Sequence, residues 1–326
     1  MANNTQSLNW KVIPISAIEG VRFGQVQRMD GMTGVSVALL EKNNAGVDIS
    51  GGGPASREAH LLSPLTDDKS MNAVVFSGGS AYGLAASDGV MRYLEERHVG
   101  YAVGKVVVPL VVQSCIFDLN IGHAKIRPDA DMGYAACVAA EQAAEPLSGS
   151  VGAGTGATVG KLCGMPQSQK AGVGYFAVEV GDLQIGAMVV VNAVGDVFDY
   201  QTGKKVAGVV TPDRRNFLPT DDLMIQAQQA LTNGANTTLA AIFTNAKFSA
   251  PEMNRISVMA RTGLARSVRP VNTMADGDAI YTFSLGEVVA DVNMVGALAA
   301  NVLSEAILKA LAHTTISETD YLQLIE

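Results

Sequence analysis

The sequence predicts an α+β fold in which helices cover a central stack of sheet. Strand-like runs fall at 34–41, 73–77, 171–180, 183–193, 238–245 and 279–285, clustering as hairpins in the middle of the chain. Helical patterns stand apart as blocks at about 83–97, 130–143, 220–231, 251–266 and 291–312. A doubly wound sheet would alternate strand and helix regularly, and this chain does not. Hydrophobic residues make up 48% and charged residues 17%, which suits a tightly packed domain and not a disordered chain.

The elements follow from local pattern. GVSVALLE at 34–41 and AVVFS at 73–77 are β-rich apolar runs, the second leading through SGGS into the helix predicted over 83–97. AGVGYFAVEV and LQIGAMVVVNA are consecutive strands, and AIYTFSL at 279–285 is the last. Ser249-Ala-Pro-Glu252 forms a capping box with proline in the first turn, so a helix starts there. Asp291 caps the final helix, whose apolar positions run nearly all round; such a helix is sandwiched or sits at a subunit interface. The polar segment 201–222 is expected to be an exposed loop. Thirty-four glycines imply tight turns and close backbone approaches. With no internal repeat and no Pro-, Ser- or charge-rich linker, residues 1–326 are expected to form one domain.

Composition also excludes function classes. A net charge of −8 without any basic run argues against nucleic-acid binding. MANNTQSLNWK lacks a basic segment followed by an apolar one, so no signal peptide is expected. The apolar stretch within 288–313 is interrupted by Asp291, Asn293, Asn301, Glu305 and Lys309, so no membrane span is expected either. Cys115, Cys137 and Cys163 have neither metal nor disulfide spacing, which fits reduced thiols in a cytoplasm. His60, His98, His123 and His313 are scattered, and no metal site is expected.

Four stretches carry candidate chemistry. GSVGAGTGATVGK at 149–161 approximates a nucleotide-binding loop, but Leu162 stands where Ser or Thr is needed and Thr155 where the first Gly would be. Its plain reading is a flexible, closely packed loop that delivers Lys161. In SGGSAYG the spacing of a serine-hydrolase elbow fails, leaving a tight strand-to-helix turn with Tyr82 as a candidate pocket residue. Asn236-Thr237-Thr238 matches a glycosylation sequon, fortuitous without secretion. An Asn-Thr pair also permits autoprocessing: the hydroxyl attacks its own preceding carbonyl, and ester hydrolysis leaves Thr237 as a new N-terminus. The freed α-amine, with a pKa of about 7.7–8.0, then serves as base for its own hydroxyl, so no histidine is needed. Finally, Asp276-Gly-Asp278 precedes the strand AIYTFSL, with both carboxylates projecting to one side. They are placed to polarise the threonine hydroxyl, hold an ammonium or bind a metal; the plain alternative is an Asp-Gly turn.

Together these residues resemble the autoprocessing L-aminopeptidase/D-amidase-esterase (DmpA-like) family, which includes β-peptidyl aminopeptidases and nylon-oligomer (6-aminohexanoate-oligomer) hydrolases. The likeness spans nearly the whole chain through VDISGGGPASREAHLL, FSGGSAYGLAASDGVMRYLEE, IFDLNIG, GAGTGATVGK, VVVNAVGDVFD and NTTLAAIFTNAKFSAPEMNRIS. With ADGD at 275–278, the last of these looks nearest to the nylon-oligomer hydrolases.

The resemblance implies a four-layer α/β/β/α sandwich, like that of N-terminal-nucleophile hydrolases but with DmpA-type connectivity. It implies cleavage between Asn236 and Thr237 into 1–236 and 237–326, with Thr237 as nucleophile and Asn192 as oxyanion donor. Lys161 matches an active-site lysine, and Asp276 and Asp278 match the acidic pair that orients nucleophile and substrate amine. No cofactor is implied, and the implied assembly is a homo-oligomer, often a tetramer of αβ units, acting on small peptides or amino amides. Phe117 stands where several relatives have tyrosine, so a hydroxyl at the pocket is missing. The alternatives are an acyltransferase of the ornithine acetyltransferase type, which shares fold and nucleophile, and an uncleaved ligand-binding member.

Overall fold

The computed structural model describes residues 10–67, 69–227 and 236–325. The core strands in chain order are β1 (Lys11–Ile13), β2 (Val21–Arg28), β3 (Thr33–Leu40), β4 (Asn44–Ile49), β5 (Ser56–Arg57), β6 (Ala73–Ser77), β7 (Val111–Cys115), β8 (Val173–Val180), β9 (Leu183–Asn192), β10 (Thr237–Ala246) and β11 (Ala279–Val288). The α-helices are α1 (Ala86–Glu95), α2 (Ala130–Ala140), α3 (Thr220–Ala227), α4 (Ala250–Ser267), α5 (Val292–Ala312) and α6 (Glu318–Leu324).

The strands form two main sheets, ordered β1-β8-β9-β10-β11-β4 and β2-β3-β6-β7-β5. Between them lies an apolar layer that includes Phe23, Phe76, Phe243, Tyr281 and Phe283. Phe243 stacks on Phe283 and meets Phe23 edge-on, at centroid distances of 5.6 and 5.3 Å. On the outer face of the first sheet, Val189, Ile242 and Ile280 pack with Ile256, Leu264, Val302 and Ile307 of α4 and α5. On the outer face of the second, Val35, Val37 and Val75 pack with Val90, Tyr93 and Ala136 of α1 and α2. The order of layers is therefore α/β/β/α.

This layering explains which elements announced themselves. A strand inside one sheet, covered by a second sheet and by helices, buries both faces and reads as a continuous apolar run. Strand β10 is such a strand, buried at nearly every position. By contrast β1, β2 and β4 gave no apolar run: β1 exposes two of its three residues, β2 carries Arg22, Gln25, Gln27 and Arg28, and β4 carries Asn44 and Asp48. Segment 201–222 is not simply an exposed loop. Lys205–Ala207 pairs with Asp196–Phe198, and Val209 is fully buried. The helix expected over 220–231 runs from Thr220 to Ala227, and its remainder lies outside the described residues. Helix α5 is the one described helix long and apolar enough to cross a membrane. Here it packs on the first sheet and against α4.

Candidate active site

Thr237 opens β10 at the edge of the inter-sheet layer. Strands β9 and β10 run antiparallel with Asn192 paired to Thr237, so the last residue of one strand faces the first of the other. Strand β11 runs parallel on the other side of β10, pairing Leu239 with Ala279. That register carries the preceding turn alongside the junction, where Asn236 bridges Asp276. Three separated stretches of sequence thus meet at one strand end.

The fourth arrives from the glycine-rich loop. Residues 152–160 are buried throughout, which makes this loop part of the core and not a flexible connection. Gly160 has φ +72°, and a Cβ there would sit 2.1 Å from the Gly208 carbonyl carbon, so only glycine fits. The loop is tied to the end of β9 by Gly160 N–H to Gly195 O (3.0 Å) and Lys161 N–H to Val194 O (2.9 Å). From there Lys161 Nζ donates to both Asn192 O and Asn192 Oδ1 at 2.8 Å.

Asn192 is fully buried and held on both ends. Its Oδ1 also accepts from Thr158 N–H (3.1 Å), and its Nδ2 donates to the Phe117 carbonyl oxygen (3.0 Å). Phe117 therefore contributes its backbone to the site. Tyr82 is exposed, with the Arg127 guanidinium 3.6 Å from its ring centre.

The two aspartates hold backbone, not the nucleophile's hydroxyl. Asp278 accepts from Thr238 N–H (2.6 Å) and Asn272 N–H (2.9 Å), while Asp276 accepts from Thr273 N–H (2.8 Å) and its hydroxyl (2.6 Å). In this uncleaved chain the hydrogen bonds of the two carboxylates run to the flanking turn and to Thr238 N–H, and both bonds of Asp276 end on one oxygen, Oδ2. Thr237 Oγ1 donates instead to the Asn236 carbonyl oxygen. Among the described residues, Asn236 Oδ1 and Thr238 Oγ1 are buried without a hydrogen-bond partner, a cost of about 1–3 kcal/mol each. No group of three His, Cys, Asp or Glu side chains suited to a metal occurs among the described residues.

Burial dominates the electrostatics. Lys161 is pushed down to about 7 by desolvation, although Asp276, Asp118 and Asp278 oppose the shift. Desolvation and then the neighbouring Asp276 raise Asp278 to about 6, and burial raises Asp276 as well. A lysine at about 7 beside a carboxylate at about 6 is suited to relaying protons near neutral pH.

Some contributors escaped the sequence reading. Asp118, in IFDLNIG, is buried, accepts from Gly79 N–H and Thr33 Oγ1 (both 2.7 Å), and is raised to about 6 by burial. Arg261 of α4 binds the Asp48 carbonyl (2.8 Å) and the Asn272 side chain, steadying the residue whose N–H holds Asp278. Neither has a local spacing signal. An isolated acid inside an apolar motif was the available hint for Asp118.

Comparison with known proteins places this geometry. The family model described as Peptidase family S58 matches residues 14–320. The chain belongs to peptidase family S58. It is a peptide-bond hydrolase. Among relatives of this S58 peptidase, an uncharacterized aminopeptidase of Mycobacterium tuberculosis (strain ATCC 25618 / H37Rv) is 37% identical, over 90% of this chain and 92% of the relative. The 6-aminohexanoate-oligomer endohydrolase of Agromyces sp. (strain KY5R) is 28% identical, over 89% and 84%. The motif-level likeness to nylon-oligomer hydrolases therefore does not extend to overall identity, which is higher to the mycobacterial protein. The solved L-aminopeptidase D-Ala-esterase/amidase of Ochrobactrum anthropi, described as a variant of the Ntn hydrolase fold, superposes with a TM-score of 0.62 at 18% identity, covering 91% of this chain and 85% of its own. The S58 peptidase thus has that fold, as its layers indicate.

Proposed function

We propose that this S58 peptidase is a self-cleaving N-terminal threonine hydrolase. It cuts its own Asn236–Thr237 bond and then acts as an aminopeptidase or amidase on small peptides or ω-amino amide oligomers. The observation that carries the reading is the Thr237 hydroxyl bonded to the carbonyl oxygen of Asn236, at a strand end facing Asn192. In turnover, Thr237 Oγ attacks the substrate carbonyl while its own α-amine takes the proton. Asn192 Nδ2 donates to the developing oxyanion, a neutral donor whose bond strengthens as charge forms. The amine product leaves, and water hydrolyses the acyl-Thr237 ester. Lys161 holds Asn192 in place and exchanges protons with its surroundings near neutral pH. The names of the mycobacterial and Agromyces relatives support the two substrate classes. The proposal includes a cytoplasmic setting and a homotetramer of cleaved units, to be checked by light scattering.

The test is intact mass of purified protein. Self-cleavage predicts pieces of roughly 25 and 9 kDa by residue share of the 33.9 kDa chain. Thr237→Ala should stay whole and inert, whereas Thr237→Ser keeps a hydroxyl and should still cleave. A wild-type chain that remains a single 33.9 kDa species yet hydrolyses amides would sink the mechanism. Assaying p-nitroanilides of α-, β- and ω-amino acids then separates the substrate classes.

A further inference from the structure

The carbonyl that would be cut has a backbone donor of its own. Gly277 N–H donates to the Asn236 carbonyl oxygen at 2.9 Å, and Thr237 Oγ1 is hydrogen-bonded to that same oxygen. Position 277 has little room for a side chain, since a Cβ there would lie 2.9 Å from Thr237 Oγ1 and 3.0 Å from the Gly53 carbonyl oxygen. The turn that aims this N–H is clamped from the facing loop. Gly53 N–H donates to Asp276 O (2.8 Å), Gly52 N–H to Thr273 O (3.1 Å), and the Ser50 and Gly51 N–H groups to Asp278 O (both 3.2 Å). Asp276 closes the turn from within through Thr273 N–H (2.8 Å).

We propose that the Gly277 N–H is the oxyanion donor for self-cleavage, a role distinct from that of Asn192 in turnover. This rests on the self-cleavage reading above. As the bond from Thr237 Oγ to the Asn236 carbonyl carbon forms, the carbonyl π pair moves onto the oxygen, which accepts from Gly277 N–H. The C–N bond then breaks, and the hydroxyl proton ends on the Thr237 nitrogen. An ester and a free amine remain. Water hydrolyses the ester, leaving the Asn236 carboxylate and the Thr237 hydroxyl. A donor already in place gains strength only when its acceptor becomes charged, so it favours the tetrahedral state over the intact peptide. The clamp of the 50–53 loop keeps it from relaxing away.

The test removes the donor without adding a side chain. Full-length protein made by cell-free translation with glycolic acid in place of Gly277 carries an ester oxygen where the N–H was. A control chain carries lactic acid in place of Ala275, losing a different N–H of the same turn, the one bonded to Thr273 Oγ1. Self-cleavage of each is followed by intact mass after translation. The 277 ester should cleave about 100-fold or more slowly, and the 275 ester within a few-fold of wild type. Cleavage of the 277 ester at the wild-type rate, or equal slowing in both esters, overturns the assignment. A wild-type chain that never cleaves in the same translation overturns the underlying reading as well.

Discussion

Asn192 is the residue on which the most bonds of the site converge, and its replacement separates chemistry from architecture. Asn192→Ala should lower kcat by about 10²–10³, the usual loss for one oxyanion donor, measured with a p-nitroanilide substrate on protein that has already cleaved. It should also loosen Lys161 and Thr158, both of which donate to Asn192 Oδ1. Lys161, Asn192, Thr237 and the two aspartates do meet at one strand end. They were readable because each is a polar residue set beside an apolar run, and because their motifs resemble a known family. Gly277 and Asp118 were not readable in that way. A backbone N–H leaves no trace in side-chain pattern, and a lone buried acid acquires meaning only from what surrounds it.

At the scale of elements, α4 and the α1–α2 pair show two kinds of legibility. The helix start at Ser249 was plain in sequence, and Glu252 accepts from both the Ser249 N–H (2.8 Å) and its hydroxyl (2.7 Å). Glu252→Ala should therefore cost about 1 kcal/mol, read as a lower denaturation midpoint, with activity of the folded protein unaltered. The packing of α1 on α2 was not plain. A Cβ at Gly133 would lie 1.9 Å from Ala86 O, and one at Gly89 1.6 Å from Ala130 O, so the helices touch backbone to backbone. Gly133→Ala must push them apart and should cost roughly 1–3 kcal/mol, again read by chemical denaturation. The abundance of glycine was visible beforehand, but which glycines face another backbone depends on how helices dock.

The whole molecule carries buried charge, and its stability should follow pH accordingly. Lys161 and Lys170 are both pushed down to about 7 by burial. Unfolded lysine titrates at about 10.4, so above pH 7 the unfolded chain holds protons that the folded one has shed. Stability should then rise with pH from about 7. Cys115 and Cys137, raised to about 12 by burial, oppose this once unfolded thiols ionise at about 8.5. The melting midpoint of uncleaved Thr237→Ala protein should therefore climb between pH 7 and 8.5. Adding Lys170→Met should flatten that climb, even though it strips a donor from the Ala157 and Ala171 carbonyls and lowers stability throughout. A climb equally steep without Lys170 would assign the effect to other groups. The sequence by itself determined that this chain packs helices on sheet, and which residue types could make a histidine-free hydrolase. Both follow from periodicity and from the chemistry of single side chains. Only the tertiary structure decided that the aspartates brace the turn around Gly277, and that this glycine N–H meets the Asn236 carbonyl. Strand register sets those contacts, and register is a relation between segments that no single segment records.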